Sequence, residues 1–363
     1  MEIYLIDYLG VHCGMHYYLD AFKKILSNDI PNANVRILSN YTDDMEKSFF
    51  LHQYKGSKLQ KIVSLIRNYW RLYRFVVKHK NAICIYLTYG NWLDIPFLWI
   101  ITHAKRHIID IHEAIAQDLD DNSHLKRFFK GIYSSRVKCA IVHSERTKQF
   151  LDKFGYTGCR LFVPHFRYAF SKNYKIENVG QDIIKSVAVD KINILFFGNI
   201  NYNKGVDILI DSVNQLGQQL ADKINVIIAG KDFDGTCYAV KPKQMTHVNF
   251  ILRHIEDDEL TFLYNNIQYV ALPYRKTSQS GVLEMAFYFK KPIIASNIPY
   301  FKETLLKFPS FGLLANGSFT QILKEAIEKH FVSTYFTNKD YNNYMHREEI
   351  SRFTTDFKNY ILA

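Results

Sequence analysis

Apolar and polar positions recur along the chain at two periods. Short runs of β-branched and aromatic residues are followed by stretches of helical length, in which apolar residues return every three or four positions. In the N-terminal half the runs are Ile3–Tyr8, Ile83–Leu87, Ile108–Ile111 and Cys139–Val142, and Gly14–Leu26 reads as the first helix. A polar stretch at about 168–190 interrupts the pattern, which restarts with Ile192–Phe197 and continues through Val226–Ala229, Val248–Leu252, Tyr269–Leu272 and Pro292–Ala295. Strand–helix alternation at this spacing predicts α/β structure with parallel sheets and right-handed crossovers. Because it occurs twice, the expectation is two doubly wound, Rossmann-like domains facing each other across a cleft. The last segment, Glu348–Leu362, reads as one more helix.

One segment departs from this pattern. From Lys47 to Leu93 there is no Asp or Glu, but there are nine Lys or Arg. Within it Ile62, Leu65, Ile66, Tyr69, Leu72, Tyr73 and Val76 share one helical face, and Arg67, Arg71, Arg74 and Lys78 lie opposite, with Trp70 and Phe75 at the flanks. Two readings stay open: a surface helix with a solvated basic face, or a helix whose basic face rests on anionic lipid headgroups. A second basic cluster, KRFFKGIYSSRVK at 126–138, favours the membrane.

Composition narrows the classes. A chain of 363 residues exceeds one ordinary core, so two domains of about 150–180 residues are expected. The net charge of +11 favours anionic partners, but no nucleic-acid recognition motif is present and none is expected as a partner. Five scattered cysteines, Cys13, Cys84, Cys139, Cys159 and Cys237, form no CxxC pair, which argues against a disulfide framework or a zinc site. The opening MEIYLIDYLG lacks the basic n-region and long apolar run of a signal peptide, and the apolar window Trp92–Thr102 is too short to span a bilayer. A cytoplasmic chain, peripheral on the inner face of the plasma membrane, is the expectation.

Two stretches carry chemistry. In FFGNINYNKGVDILI (196–210) a buried strand ends at Gly198, a polar loop carries Lys204, and a helix follows. The glycine permits close approach, the helix start offers free amides, and the ammonium suits phosphate oxygens. Alone, the stretch also reads as a strand–helix turn with a solvated lysine. Downstream, LPYRKTSQSGVLEMAFYFKKPIIASNIPYFKE (272–303) repeats the arrangement, with Ser280 as an N-cap for a helix starting near Gly281. Two such cradles on the carboxyl edge of one sheet suit a diphosphate. Glu284 and Glu303 would then accept hydrogen bonds from sugar hydroxyls.

These motifs, with VIIAG at 226–230 and VNFILRHIEDDELTFLY at 248–264, stand in the order and spacing of the donor-binding domain of the family 4 retaining glycosyltransferases. The C-terminal half resembles that family over about 110 residues. The N-terminal half resembles it more weakly, through Gly10 and Gly14 in the first loop, IIDIHEA at 108–114, VHSE at 142–145 and VPHF at 163–166.

The resemblance implies a GT-B fold and transfer of a sugar from a nucleoside-diphosphate donor, with retention and without a metal ion or other cofactor. It implies an N-terminal acceptor domain over 1–175, a donor domain over 176–345 and a helix over 346–363 that crosses back. Lys204 and the Ser280–Gly281–Val282 amides would hold the diphosphate beside Gly198, Asn199 and Tyr274. The loop with Arg253, His254 and Ile255 would border the base. His112 matches the family's cleft histidine, while His12, His16, His143 and His165 are further candidates to line the cleft. An acceptor saccharide carried on a lipid would give the basic segment 47–93 a purpose.

The chain departs from the pattern twice. Asn199 stands where the family has an arginine, leaving Arg275, Lys276 or Arg253 as substitutes. The E-x7-E pair is incomplete, with Met285 at its second glutamate position and Glu284 one residue earlier. The alternatives kept are a nucleotide-sugar epimerase of the same fold and a catalytically inactive nucleotide- or membrane-binding module.

Overall fold

The computed structural model describes residues 1–10, 15–40, 48–51, 57–112, 123–168, 170–239, 247–277, 279–329 and 335–362. Gly14, His12 and Cys13 lie outside the described residues. The chain forms two compact units, Met1–Phe166 with Glu348–Ala363, and Arg167–Arg347.

Unit 1 runs β1 (Glu2–Ile6), α1 (Met15–Asp29), β2 (Asn34–Leu38), α2 (Lys58–Lys78), β3 (Ile83–Thr88), α3 (Asp94–Ile101), β4 (Arg106–Ile111), α4 (His124–Ser135), β5 (Cys139–Val142), α5 (Glu145–Lys153) and β6 (Cys159–Phe162). Its six strands are parallel in the order β2-β1-β3-β4-β5-β6. Every residue of β3 and β5 is buried, as helices on both faces of a parallel sheet require. The first strand ends at Ile6, two residues earlier than its apolar run predicts, because the Asp7 carboxylate turns the chain by accepting the amides of Leu9 (2.9 Å) and Gly10 (2.8 Å).

Unit 2 runs α6 (Gln181–Ser186), β7 (Ile192–Phe197), α7 (Val206–Asn214), α8 (Gln218–Ala221), β8 (Ile224–Ala229), α9 (Thr236–Ala239), β9 (Val248–Ile251), α10 (Asp257–Asn266), β10 (Tyr269–Leu272), α11 (Gly281–Tyr288), β11 (Ile293–Ala295), α12 (Pro299–Lys307), β12 (Gly312–Leu314), α13 (Phe319–Lys329) and α14 (Asn338–Met345). Its parallel sheet has the order β12-β11-β10-β7-β8-β9. The order reverses between β7 and β10, which opens a crevice above their carboxyl ends. The last helix, α15 (Glu348–Leu362), packs in unit 1, where Phe353 lies 5.8 Å from Phe22 and Arg106 donates to the Ile361 carbonyl at 2.8 Å.

Helix α2 corrects the sequence reading in detail. Its buried seam is Asn68, Leu72 and Val76, with Leu65 and Tyr69 half-buried, whereas Ile62, Ile66 and Tyr73 of the expected apolar face are exposed. Asn68 explains the shift: its amide is buried because it exchanges two hydrogen bonds with the backbone of Leu51, at 2.8 and 3.0 Å. Among the described residues, no helix is long and apolar enough to cross a membrane.

Candidate functional site

The crevice of unit 2 is built by glycines. Gly198 ends β7 with φ +113°, and Gly230, after β8, lies so close that a Cβ on it would come 1.9 Å from the Gly198 carbonyl. A Cβ on Gly198 itself would meet the Val282 side chain at 3.4 Å, so the start of α11 borders this loop directly. Asn199 is exposed beside it. Asn201 then caps a short turn by accepting the Lys204 amide at 3.3 Å. Gly205 leaves that turn at φ +69°, where a Cβ would lie 2.0 Å from the Pro273 carbonyl. Only glycine lets the 198–205 loop lie against the loop after β10.

Other contacts tie the two loops together. The Arg275 amide donates to the Asn203 carbonyl at 2.9 Å. The Arg275 guanidinium donates to Asp207 at 2.8 Å and lies 3.9 Å over the Tyr202 ring. The hydrogen bond from Arg275 lowers the Asp207 pKa and holds it ionised. Lys204 is half-exposed, with Nζ 4.0 Å above the Tyr274 ring. Its ammonium therefore has no carboxylate partner among the described residues, and Tyr274 carries a buried hydroxyl that is also without one. Ser280 caps α11 by accepting the Leu283 amide at 3.3 Å, which leaves the amides of Gly281 and Val282 in a first turn that lacks intrahelical acceptors. The structure thus brings Gly198, Asn199, Lys204, Tyr274, Ser280, Gly281 and Val282 to one crevice.

It gives the remaining candidates other surroundings. Arg253 is held by Glu259 at 2.7 Å and by Asp182 at 2.9 Å, and these hydrogen bonds raise its pKa. The guanidinium therefore fixes the loop after β9 and is not a free substitute for the missing arginine; Arg275 is committed to Asp207 in the same way. His254 is exposed, Ile255 is buried, and Glu303 is exposed on α12. Glu284 is 3% exposed and faces into the unit, where it accepts from the Tyr344 hydroxyl at 2.6 Å and from Arg347 at 3.2 Å. The carboxylate read as a sugar acceptor already neutralises a buried arginine. Tyr344 lies in the last turn of α14 and Arg347 follows that helix, and nothing in their sequence surroundings marked them.

Unit 1 holds a second cluster. Asp110 sits in β4, where a charged residue inside a buried run was a signal that sequence reasoning passed over. It accepts from the Tyr18 hydroxyl (2.6 Å) and pairs with His143 Nε2 (2.6 Å), while His143 Nδ1 faces the Val163 carbonyl at 2.9 Å. The His112 ring stands 4.7 Å from Tyr18 and 5.6 Å from both His143 and His165. Burial, reinforced by the fields of His165 and His143, lowers the His112 pKa well below the ordinary 6.5, so the imidazole is neutral at pH 7. The His16 and Tyr17 ring centroids lie 3.8 Å apart with their planes inclined at 40°.

Asp110, His112 and His143 present ligand atoms within 4.8 Å of one another. A metal there would have to break the contact between Asp110 and His143 Nε2 and compete with the Tyr18 hydroxyl for Asp110, so in this arrangement the group reads as a hydrogen-bonded cluster beside His112. Gly10 lies in the loop after β1 at φ +49°, where a Cβ would come 2.1 Å from Asn40 Oδ1.

Residues 181–334 match the family model of glycosyl transferases group 1. No curated protein sequence matches the chain. Among solved structures, the chain is similar to sucrose-phosphate synthase from Thermosynechococcus elongatus, at 15% identity over 99% of this chain and 98% of that one, with a TM-score of 0.67. It is similar to HepE of Anabaena in complex with UDP-glucose, at 13% identity over 99% of both chains and a TM-score of 0.69. It is also similar to WaaG, a glycosyltransferase involved in lipopolysaccharide biosynthesis, at 12% identity over 99% of both chains and a TM-score of 0.69. At these identities the likeness establishes the fold, which is GT-B, with two Rossmann-like domains.

Proposed function

With residues 181–334 a domain of the glycosyl transferases group 1, we propose that this chain transfers a sugar from a nucleoside-diphosphate donor to a saccharide acceptor, with retention and without a metal ion. The observation that carries the reading is the pairing at the switch point of unit 2. Lys204 and the start of α11 flank one crevice between β7 and β10, and the two loops are joined by Gly205 against Pro273. A departing diphosphate needs positive charge at its oxygens as the glycosidic bond breaks. A fixed ammonium and oriented amides supply it with little reorganisation. The solved complex of HepE with UDP-glucose supports a nucleotide sugar as donor.

His112, neutral and supported by the Asp110–His143–Tyr18 group, is the residue proposed to lie near the reacting sugar. The acceptor we propose is a lipid-linked saccharide, with the enzyme peripheral on the cytoplasmic face of the membrane and acting in capsule or lipopolysaccharide assembly. The acid-free basic segment supports that placement, and WaaG supports the process by analogy.

The test is turnover of UDP- and GDP-sugars in EDTA, with the anomeric configuration of the product read by NMR. Retained configuration at undiminished rate is expected. An inverted product or a rate abolished by EDTA would contradict the mechanism, and no turnover of any donor would favour the inactive-module reading.

A further inference from the structure

All three tryptophans of the chain lie on one stretch of unit 1, and all face outward. Trp70 on α2 is 59% exposed, Trp92 just before α3 is 54% exposed, and Trp99 on α3 is 46% exposed. Indole is a large, mostly apolar side chain that folded units bury or place at interfaces. Helix α2 extends the pattern, since Leu59, Ile62, Ile66, Trp70, Tyr73 and Val77 are also exposed. At 3.6 residues per turn they fall within an arc of about 80°. This stripe is separate from the Asn68, Leu72 and Val76 seam that docks α2, so the core of unit 1 makes no use of it.

Its flanks are cationic. Arg67, Arg71, Arg74 and Lys78 run along α2 a little over a quarter turn from the stripe, about 105° away. Helix α3 packs beside α2, and α4 beside α3. On α4, exposed Phe128 lies 6.0 Å from Trp92, and Arg136, at the C-terminal cap of that helix, stands 5.9 Å over Trp99. An open groove of about 410 Å³ follows α4, lined by His124, Arg127, Phe128 and Arg136. The same combination of aromatic ring and arginine therefore recurs across three neighbouring helices.

We propose that the α2–α3–α4 face of unit 1 is a monotopic docking surface for an anionic phospholipid bilayer. The apolar stripe of α2 lies among the acyl chains, and its arginine row lies at the depth of the phosphates. The inference deepens the reading of a membrane-borne acceptor and rests on it for its purpose, while its evidence is the face itself. Charge complementarity selects this occupant: an amphipathic helix with an indole on its apolar face and arginines beside it matches the polarity gradient of an anionic leaflet. A second copy of the chain matches it poorly, because pairing two such faces would oppose two arginine rows with no acid between Lys47 and Leu93 to neutralise them.

The full chain carries its own probe, because its tryptophans all sit on the proposed face. Vesicles of phosphatidylcholine with roughly 30% phosphatidylglycerol and brominated acyl chains should quench the emission and shift it to the blue, while pure phosphatidylcholine should not. Ile66→Ser with Trp70→Ser should cut partitioning by at least about tenfold. Arg67→Gln with Arg74→Gln and Lys78→Gln should cut it on the order of a hundredfold. UDP binding is measured on the same samples. Unquenched emission with UDP binding intact, or partitioning unaffected by the Ile66 and Trp70 changes, would overturn the docking surface and leave the transferase reading standing. Quenching without nucleotide binding would do the reverse. A dimer in sedimentation velocity that is lost in Trp70→Ser, together with unquenched emission, would assign the face to a second copy.

Discussion

The loops at the switch points of the two sheets treat their backbone amides differently. In unit 1 the switch point lies between β1 and β3, and the amides there are occupied by carboxylates of the same unit. Asp7 takes those of Leu9 and Gly10, and Asp94 takes those of Tyr89 and Asn91, at 2.8 to 3.1 Å. The Tyr89 hydroxyl closes the arrangement by donating to Asp7 at 2.6 Å. In unit 2 the loops after β7 and β10 contain no aspartate or glutamate of their own, and among the described residues the one carboxylate that takes an amide from them is Asp234, from the loop after β8, which accepts from the Tyr202 amide at 2.7 Å at the far end of the turn. Asp207 turns to Arg275, Glu284 turns to Arg347, and Lys204 and the first amides of α11 are left facing the crevice. One sheet design thus gives two outcomes, set by whether an aspartate follows the first strand. The proposed donor diphosphate would take its place in unit 2, whereas in unit 1 the amides of the first loop are taken by Asp7.

This contrast can be broken in several ways, of which Lys204→Ala has the largest effect. Removing a cation from a departing diphosphate in a preorganised site costs several kcal/mol, or about two to three orders of magnitude in donor turnover. The melting temperature should hardly move, because among the described residues the ammonium lies over the Tyr274 ring and has no carboxylate partner. Unchanged turnover would remove the diphosphate assignment.

The buried pair comes next. Glu284→Gln leaves Arg347 charged and uncompensated, and breaking such a pair costs about 3–5 kcal/mol of stability. Chemical denaturation should register that loss, while nucleotide affinity measured well below the transition should fall far less than in Lys204→Ala. An affinity loss as large as that of Lys204→Ala, with stability kept, would return Glu284 to the donor site.

Two glycines offer a matched pair. Gly205→Ala and Gly10→Ala both force a side chain into a left-handed backbone against a close neighbour, at a cost of about 1–3 kcal/mol each. Only Gly205→Ala should weaken binding of a nucleoside diphosphate, because only its loop borders the crevice. Equal effects on affinity would erase the distinction between the two switch points.

His112 gives the smallest expected effect. Its pKa in the folded chain lies below the ordinary 6.5, so the unfolded chain takes up a proton first as the pH falls. The contribution to stability is complete above pH 6.5 and is lost progressively below it. Asp7 and Asp94, with pKa values raised to about 6 by burial, work in the opposite sense between about pH 4 and 6. An NMR titration should show the His112 imidazole still neutral at pH values below the ordinary 6.5, and His112→Gln should flatten the acid side of the stability profile. A His112 imidazole that is protonated at or above pH 6.5 would contradict the buried, neutral histidine.

Much of the architecture was legible in the chain. β5, β7, β10 and α15 occupy the residues that the apolar patterns mark, because strands buried on both faces are continuous apolar runs. The strands that escaped notice are β2, β6 and β12, each at a sheet edge, with half-exposed or alternating residues that leave no such run. In the crevice, Gly198, Lys204 and Ser280 could be read because backbone freedom, charge and helix capping are local properties. The direction of Glu284 could not, since it is set by Arg347, which is sixty-three positions away in sequence. The two faces of α2 could not be separated either, because both are apolar and only Asn68 reveals which one docks.

The most direct measurement is a calorimetric titration of UDP, GDP and CDP into the metal-free full chain and into Lys204→Ala. The account predicts that one diphosphate binds at a single site and that Lys204→Ala abolishes the binding. Binding that survives Lys204→Ala and is lost instead on changing the Asp7 loop of unit 1 would contradict it.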